Sequence, residues 1–260
     1  MKPPKPPLSY NSHSPLDIHV GTAGWTLPSG SAHLFPPEGS HLQRYARVFN
    51  CVEINSSFHR PHRRSTWERW AASTPDNFRF GVKLPKAITH TARLHNCGAL
   101  LQTFFSEATG LNAGAVPKLG PLLIQLPPSL AFDAGVAHEF LSTLRELHVG
   151  SAVLEPRHAS WFDSVADRLL REFSIARAAA DPPKASPLAA RPGGSPDLHY
   201  YRLHGSPRTY YSAYTEVFLR DLAESIRTHR HPPTWVLFDN TAGSHATPNA
   251  LTIRGLLTER

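Results

Sequence analysis

Cysteine is scarce in this chain. Cys51 and Cys97 are the only two among 260 residues. That is too few for a disulfide scaffold, and the spacing does not suit zinc, so a reducing, cytoplasmic setting is expected. No apolar run approaches the roughly 20 residues of a membrane span, and no membrane partner is expected. Met1-Lys2-Pro3-Pro4-Lys5-Pro6-Pro7 lacks the apolar core of a secretion signal. Residues 1–16 therefore read as a disordered, Pro-rich tail before a single domain over 17–260. The familiar ligand motifs are missing too. Gly21-Thr22-Ala23-Gly24-Trp25 matches neither the dinucleotide fingerprint nor a P-loop, and no His-Glu-x-x-His spacing occurs. Acid is outnumbered: Lys and Arg total 27 against 20 Asp and Glu, a formal charge of +7. That balance favours anionic partners. Apart from Arg60-Pro61-His62-Arg63-Arg64 the basic residues are dispersed, so a solvated basic surface and a phosphate- or nucleic-acid-binding face weigh about equally.

What the chain does have is a recurring short pattern. In Val52-Glu53-Ile54-Asn55, apolar and polar residues alternate with the period of a strand, so Glu53 and Asn55 share one face. Arg79-Phe80-Gly81-Val82-Lys83-Leu84-Pro85 repeats it with Lys83, and Pro121 to Pro128 with Gln125. Ser151 to His158 carries Glu155 and Arg157 on one face, with Trp161 just beyond. A strand over Ser174–Ala180 ends at Asp181, and Leu198 to Gly205 places Tyr200, Arg202 and His204 together. Trp235 to Thr241 ends in Asp239 and Asn240. Helical spacing marks Ser40–Phe49, Ser65–Ala72, Ala99–Thr109, Ala134–Leu147, Phe162–Phe173, Thr215–Thr228 and Asn249–Leu257. Trp67 and Trp70, three apart on one of these helices, read as packing residues. Between Pro182 and Pro196 the chain is rich in Pro, Ala, Ser and Gly, so a loop stands where the repeat calls for a helix.

Strand followed by helix, about eight times, with connections too long for hairpins, implies parallel strands and crossover helices. In one domain of this length that favours an α/β fold of the (β/α)₈ TIM-barrel type, irregular around the sixth βα unit, over an open doubly wound sheet. In a barrel, the polar residues at the strand ends meet at one mouth.

The motifs at these strand ends resemble those of the domain of unknown function 72, or YecE-like, family, in order from Ile18 to Leu257. They are Gly21 to Trp25, Val52 to Phe58, Phe80 to Pro85 with Ile88-Thr89-His90, and Leu123 to Pro128. Further on come Glu155 to His158 with Ser160-Trp161, Tyr201 to Gly205, and Phe238 to Thr241. The resemblance implies a TIM-type barrel and brings no settled reaction. The chain departs from the family pattern at Leu27-Pro28-Ser29-Gly30-Ser31 and at His59, where relatives usually carry Tyr.

Three functions suit such a mouth. The first is an enzyme, a hydrolase or lyase, acting on an anionic, phosphate-bearing substrate. Glu53, Glu155 and His204 are then the acid–base residues. Lys83, Arg157 and Arg202 hold the anion, and Trp25, Asn55, Gln125, Trp161 and Asn240 complete the binding site. No cofactor is expected on this reading, and no residue is marked as a nucleophile. The second is a metal-dependent phosphoesterase of the endonuclease-IV kind, with Glu53, Glu155, Asp181, His204 and Asp239 around a divalent metal. The Lys and Arg in the same mouth weigh against it. The third is a non-catalytic nucleic-acid-binding module using Arg60 to Arg64 and Tyr210 to Tyr214. A purely structural set of ion pairs is the plain alternative to all three. It is weakened because buried ion pairs are inefficient stabilisers.

Overall fold

The computed structural model describes residues 17–228 and 232–258, so the expected tail at 1–16 lies outside the described residues. The order begins β1 (Ile18–Thr22), α1 (His41–Ala46), β2 (Cys51–Ile54), α2 (Ser56–His59), α3 (Arg64–Ala72) and β3 (Arg79–Lys83). It continues with α4 (Gly98–Ala108), β4 (Leu119–Gln125), α5 (Ala134–Leu147), β5 (Ala152–Glu155), α6 (Ser164–Glu172), β6 (Ile175–Arg177) and β7 (Ala179–Asp181). It ends with β8 (Gly193–Gly194), β9 (His199–Leu203), α7 (Glu216–Arg227), β10 (Thr234–Phe238) and α8 (Ala246–Thr258). This is the expected alternation of strand and helix in an α/β fold.

Local chemistry sets many of the boundaries. Ser40 and Gln43 form a reciprocal capping box that starts α1, the arrangement that satisfies two otherwise orphaned N–H groups. Asp133, Asp163 and Thr215 cap α5, α6 and α7 through their side chains. Pro127 and Pro128 follow β4, where the ladder has to end. α1 is shorter than the expected Ser40–Phe49. α8 starts earlier than expected, at Ala246, with Pro248 in the first turn, where its missing N–H costs nothing.

Pairing gives a four-stranded sheet, β1-β10-β9-β7, and a six-stranded sheet, β2-β3-β4-β5-β6-β8. Every pair is parallel except the short β6–β8 contact. The two sheets meet at two seams. At one, the single strand expected over Ser174–Ala180 divides at Ala178: β6 pairs with β5 and β7 with β9. The Ala178 N–H still donates to Leu154 O at 2.9 Å. Beyond it, the expected loop carries a 3₁₀ turn at Pro187–Ala190 and β8.

At the other seam, Ala23 and Glu53 form an isolated parallel bridge, and Gly24 N–H donates to Glu53 O at 2.9 Å. Side chains stitch the rest. Asn50 accepts from Val20 N and donates to Ile18 O at 3.0 and 2.8 Å. The buried Tyr45 hydroxyl accepts from Thr22 N and donates to Cys51 O at 2.8 and 3.0 Å. A Cβ at Gly21 would overlap the Cys51 carbonyl, so only glycine permits this approach.

Successive residues of each strand enter different cores. Val52, Ile54, Phe80, Val82, Leu122, Ile124, Leu154, Val236 and Phe238 join the large core that includes helix residues such as Leu101, Phe140 and Leu170. Cys51, Leu123, Val153, Ala176, Tyr200, Trp235 and Leu237 form a second, smaller cluster. Trp67 and Trp70 pack edge to face at 5.3 Å, as the helix spacing implied. The polar strand-end residues lie on the same strand faces as the smaller cluster, one pleat nearer the C-terminal ends.

Candidate functional site

Arg202 is the centre of these residues. It is fully buried, as are Glu53 and Glu155. Its Nε and Nη2 donate to the two Glu53 oxygens at 3.0 and 2.6 Å, a bidentate fork. Nη1 donates to Glu155 Oε2 at 2.6 Å, and Nη2 also reaches Asp239 Oδ2 at 3.2 Å. The Tyr200 hydroxyl supplies Glu53 Oε2 with a further donor at 2.8 Å. Gly81 leaves room for it, since a Cβ there would sit 3.1 Å from the Tyr200 hydroxyl. Glu53 belongs to the six-stranded sheet and Arg202 to the four-stranded one, so these bonds join strands that share no ladder.

A second row lies nearer solvent. His204 Nε2 is 2.9 Å from Glu155 Oε1, and its Nδ1 is 3.0 Å from Asp239 Oδ2. The ring thus links two carboxylates, an arrangement suited to holding or passing a proton. Arg157 Nη2 reaches Glu155 Oε1 at 2.6 Å and His204 Nε2 at 3.1 Å. Gln125 Nε2 donates to Glu155 Oε2 at 3.0 Å, and Lys83 Nζ donates to Gln125 Oε1 at 2.7 Å. The Lys83 ammonium also lies 4.1 Å from the centre of the Phe58 ring, within cation–π range.

Burial and neighbouring charge pull in opposite directions here. Burial alone would raise Glu155 and Asp239, but adjacent cations win. Arg202, Arg157 and His204 hold Glu155 well below the carboxylate range, and Arg202, His204 and Lys83 lower Asp239. For Arg202, desolvation is outweighed by Glu53, Glu155 and Asp239, so its pKa rises. Burial, together with Arg202, lowers Lys83 to about 8 against the pull of the three carboxylates. Burial also pushes Tyr200 upward, with the Glu53 charge adding to it, so the hydroxyl stays protonated and donates.

The expected site residues separate into groups. Glu53, Lys83, Gln125, Glu155, Arg157, Arg202, His204 and Asp239 form one connected network. Trp25 and Asn55 line an adjoining cleft of about 240 Å³ with Gly24, Thr26, His41 and Ser56. The remaining three are elsewhere. Trp161 is 1% exposed, donates to Leu130 O and packs on Phe132, so it forms no pocket wall. Asn240 is buried, and its Nδ2 donates to Ser212 O and Asn249 Oδ1. Asp181 accepts from the Tyr214 hydroxyl at 2.9 Å. Arg202 is also too enclosed to hold a substrate anion: its guanidinium is shared among three carboxylates. Tyr200 and Phe58 are the residues that strand reading left out of the site. Tyr200 was legible as a same-face neighbour of Arg202. Phe58 follows the strand on α2, where strand alternation gives no guide.

The donor set does not fit a divalent metal. Glu53, Glu155 and Asp239 already face guanidinium groups, and Asp181 is engaged by Tyr214. Among the described residues no group of three or more His, Cys, Asp or Glu side chains is arranged to hold a metal ion. Arg60 and Arg63 are exposed, as are Tyr210 and Tyr211, whereas Tyr214 is buried. Among the described residues no helix is long and apolar enough to cross a membrane.

Comparison with known proteins adds family and fold. The chain is 31% identical to the UPF0759 protein YecE of Escherichia coli K12 over 147 residues, which is 56% of this chain and 50% of that protein. It is 29% identical to the UPF0759 protein YunF of Bacillus subtilis over 160 residues, 56% of this chain and 52% of that one. The chain thus spans about half the length of the curated relatives it matches. Crystal structures of two DUF72 family proteins superpose on it. For that from Thermotoga maritima the TM-score is 0.74, with 26% identity over 93% of this chain and 99% of the other. For that from Enterococcus faecalis the TM-score is 0.78, with 19% identity over 94% and 96%. The family model described as "Protein of unknown function DUF72" matches residues 19–260, and the chain belongs to that family.

Proposed function

We propose that the strands close into an eight-stranded TIM-type barrel, and that its mouth is an enzyme site for an anionic, phosphate-bearing substrate. Closure is supported by the Ala23–Glu53 bridge, the split at Ala178, and the bonds from Arg202 on the four-stranded sheet to Glu53 and Glu155 on the six-stranded one. The observation that carries the functional reading is a buried acid–base chain bordered by cations with binding capacity to spare. Arg157 Nε is buried and has no hydrogen-bond partner among the described residues, and the same holds for Asn55 Oδ1. Orphaned buried polar atoms are costly, and a bound ligand relieves that cost.

Arg157 and Lys83 are the anion contacts in this proposal. Arg157 offers a planar fork suited to phosphate oxygens. Glu155 and His204 handle the proton, with Asp239 orienting the imidazole. Glu53 and Arg202 lie beneath and hold Glu155 in place, so Glu53 acts through its neighbours. Trp25 and Asn55 receive the remainder of the substrate in the adjoining cleft.

Calorimetric titration of the full chain with inorganic phosphate and D-ribose 5-phosphate tests the reading. Binding is expected with the wild type and should weaken at least tenfold in Arg157→Met. Absence of any heat with either ligand would refute it. Exposed Arg60, Arg63, Tyr210 and Tyr211 support a second reading as a nucleic-acid-binding surface, with Arg208 lying 4.1 Å over the Tyr211 ring. Retention on single-stranded DNA that falls steeply with salt would favour that surface over a small-molecule site.

A further inference from the structure

Lys83 is an unusual choice for an anion contact. The chain has 27 Lys and Arg, and only Lys2, Lys5, Lys83, Lys86, Lys118 and Lys184 are lysine. Where geometry alone matters, guanidinium binds phosphate better, because it presents a rigid fork and never gives up its charge. The amine also sits beside three carboxylates without pairing to one. Those carboxylates are taken by Arg202, Arg157 and His204. What Lys83 Nζ has is the neutral amide oxygen of Gln125 at 2.7 Å and the face of Phe58. Its main chain is fixed, since the Ser57 hydroxyl donates to Lys83 O at 2.7 Å. One amide further on are Glu155 and His204.

We propose that Lys83 is the nucleophile of the site and forms an imine with a carbonyl group of the substrate. This rests on the reading of the mouth as an anion-binding enzyme site, moves Lys83 from the phosphate to the carbonyl and leaves the phosphate to Arg157, and names the substrate class: a phosphate-bearing aldehyde or ketone. The ammonium first loses a proton to the His204 imidazole, with Glu155 staying ionised beside it. The free amine adds to the carbonyl carbon, giving a carbinolamine. The proton returns to the hydroxyl, the C–O bond breaks, and water leaves as the nitrogen lone pair forms the C=N bond. The sum is ammonium plus carbonyl giving iminium plus water, with no oxidant or reductant. The resulting iminium draws electrons from the neighbouring carbon, which suits carbon–carbon cleavage or proton abstraction. Lys83 titrating at about 8 agrees with a nucleophilic role, being lowered by burial and by Arg202 and raised by Glu53, Glu155 and Asp239. His90 packs edge-on against Phe58 at 4.9 Å, and burial, then Lys83, Lys86 and Arg93, lower its pKa.

The test is reductive trapping on the full chain. The protein is incubated with D-glyceraldehyde 3-phosphate, dihydroxyacetone phosphate or pyruvate, reduced with borohydride, and examined by intact mass and peptide mapping. The expected result is one adduct per chain, located on Lys83, with at least one phosphate-bearing probe. Lys83→Arg and Lys83→Met, shown folded by circular dichroism, should lose it. Labelling spread evenly over Lys86, Lys184 and the terminal lysines, or no Lys83 adduct with either phosphate-bearing probe, would overturn the proposal. Titration with inorganic phosphate on the same sample separates the two readings. Phosphate binding without a Lys83 adduct refutes the imine alone, whereas loss of both refutes the anion site as well.

Discussion

The two faces of the same strands solve opposite problems. The face toward the helices is uniformly apolar: Val52, Ile54, Val82, Ile124, Leu154 and Phe238 are all buried. Its stability comes from area removed from water, at about 25 cal/mol per Å². The other face begins with a small apolar cluster around Leu123, Val153 and Trp235, then gives way within one pleat to Glu53, Glu155 and Arg202. There, desolvation offsets most of the Coulomb gain, and the ionic layer is stable only while each charge keeps its partners. The helix-facing side tolerates small errors. The ionic side is costly to break and adds little stability when complete.

Removing the central cation should break this contrast most sharply. Arg202→Met strands three carboxylates and is expected to cost roughly 3–5 kcal/mol in urea denaturation. A cost near that of an ordinary apolar truncation would mean the layer is not held by charge. Acid should act on the same face. Glu155 and Asp239 are both lowered in the folded chain, so the unfolded chain takes up protons first. Their contribution is full above the ordinary carboxylate range and is lost as pH falls through the folded values. Melting temperature should therefore drop from about pH 5 downward, and Asp239→Asn should flatten the curve.

Tyr200→Phe leaves one Glu53 oxygen short of a buried donor and should cost about 1–3 kcal/mol. On the helix-facing side, Ile124→Val removes one methylene and should cost about 0.5–1.5 kcal/mol. The smallest effect is of opposite sign. Lys83 is lowered, so below its folded value of about 8 its charge is a burden on the native state. Lys83→Met is expected to stabilise the protein modestly at pH 7. That gain should shrink as pH rises past 8, because the wild type gains stability there while the unfolded chain stays protonated.

Period-two alternation was enough to place Glu53, Lys83, Gln125, Glu155, Arg202 and His204 on one kind of face, because side-chain direction along a strand is a local property. It could not tell which of them stay open to a ligand. Arg202 and Arg157 look alike in sequence, yet one is fully enclosed among carboxylates and the other keeps a donor unused. Trp161 and Asn240 stand close to site residues along the chain, but each turns into local packing once the loops are in place. The split at Ala178 was also hidden, since three residues on either side read as one strand.

The sequence by itself determined the α/β alternation, the helix starts near Ser40, Ala134 and Thr215, the family, and the polar strand ends. All of these follow from periodicity, capping chemistry and short motifs, which act over a few residues. Only the tertiary structure decided that Arg202 would be shared by Glu53, Glu155 and Asp239, and that Tyr45 and Asn50 would stitch β1 to β2. It also left Lys83 beside three carboxylates without one of its own. Those outcomes depend on which distant groups arrive within about 3 Å of one another, and charge pairing among many candidates is settled by packing, not by spacing along the chain.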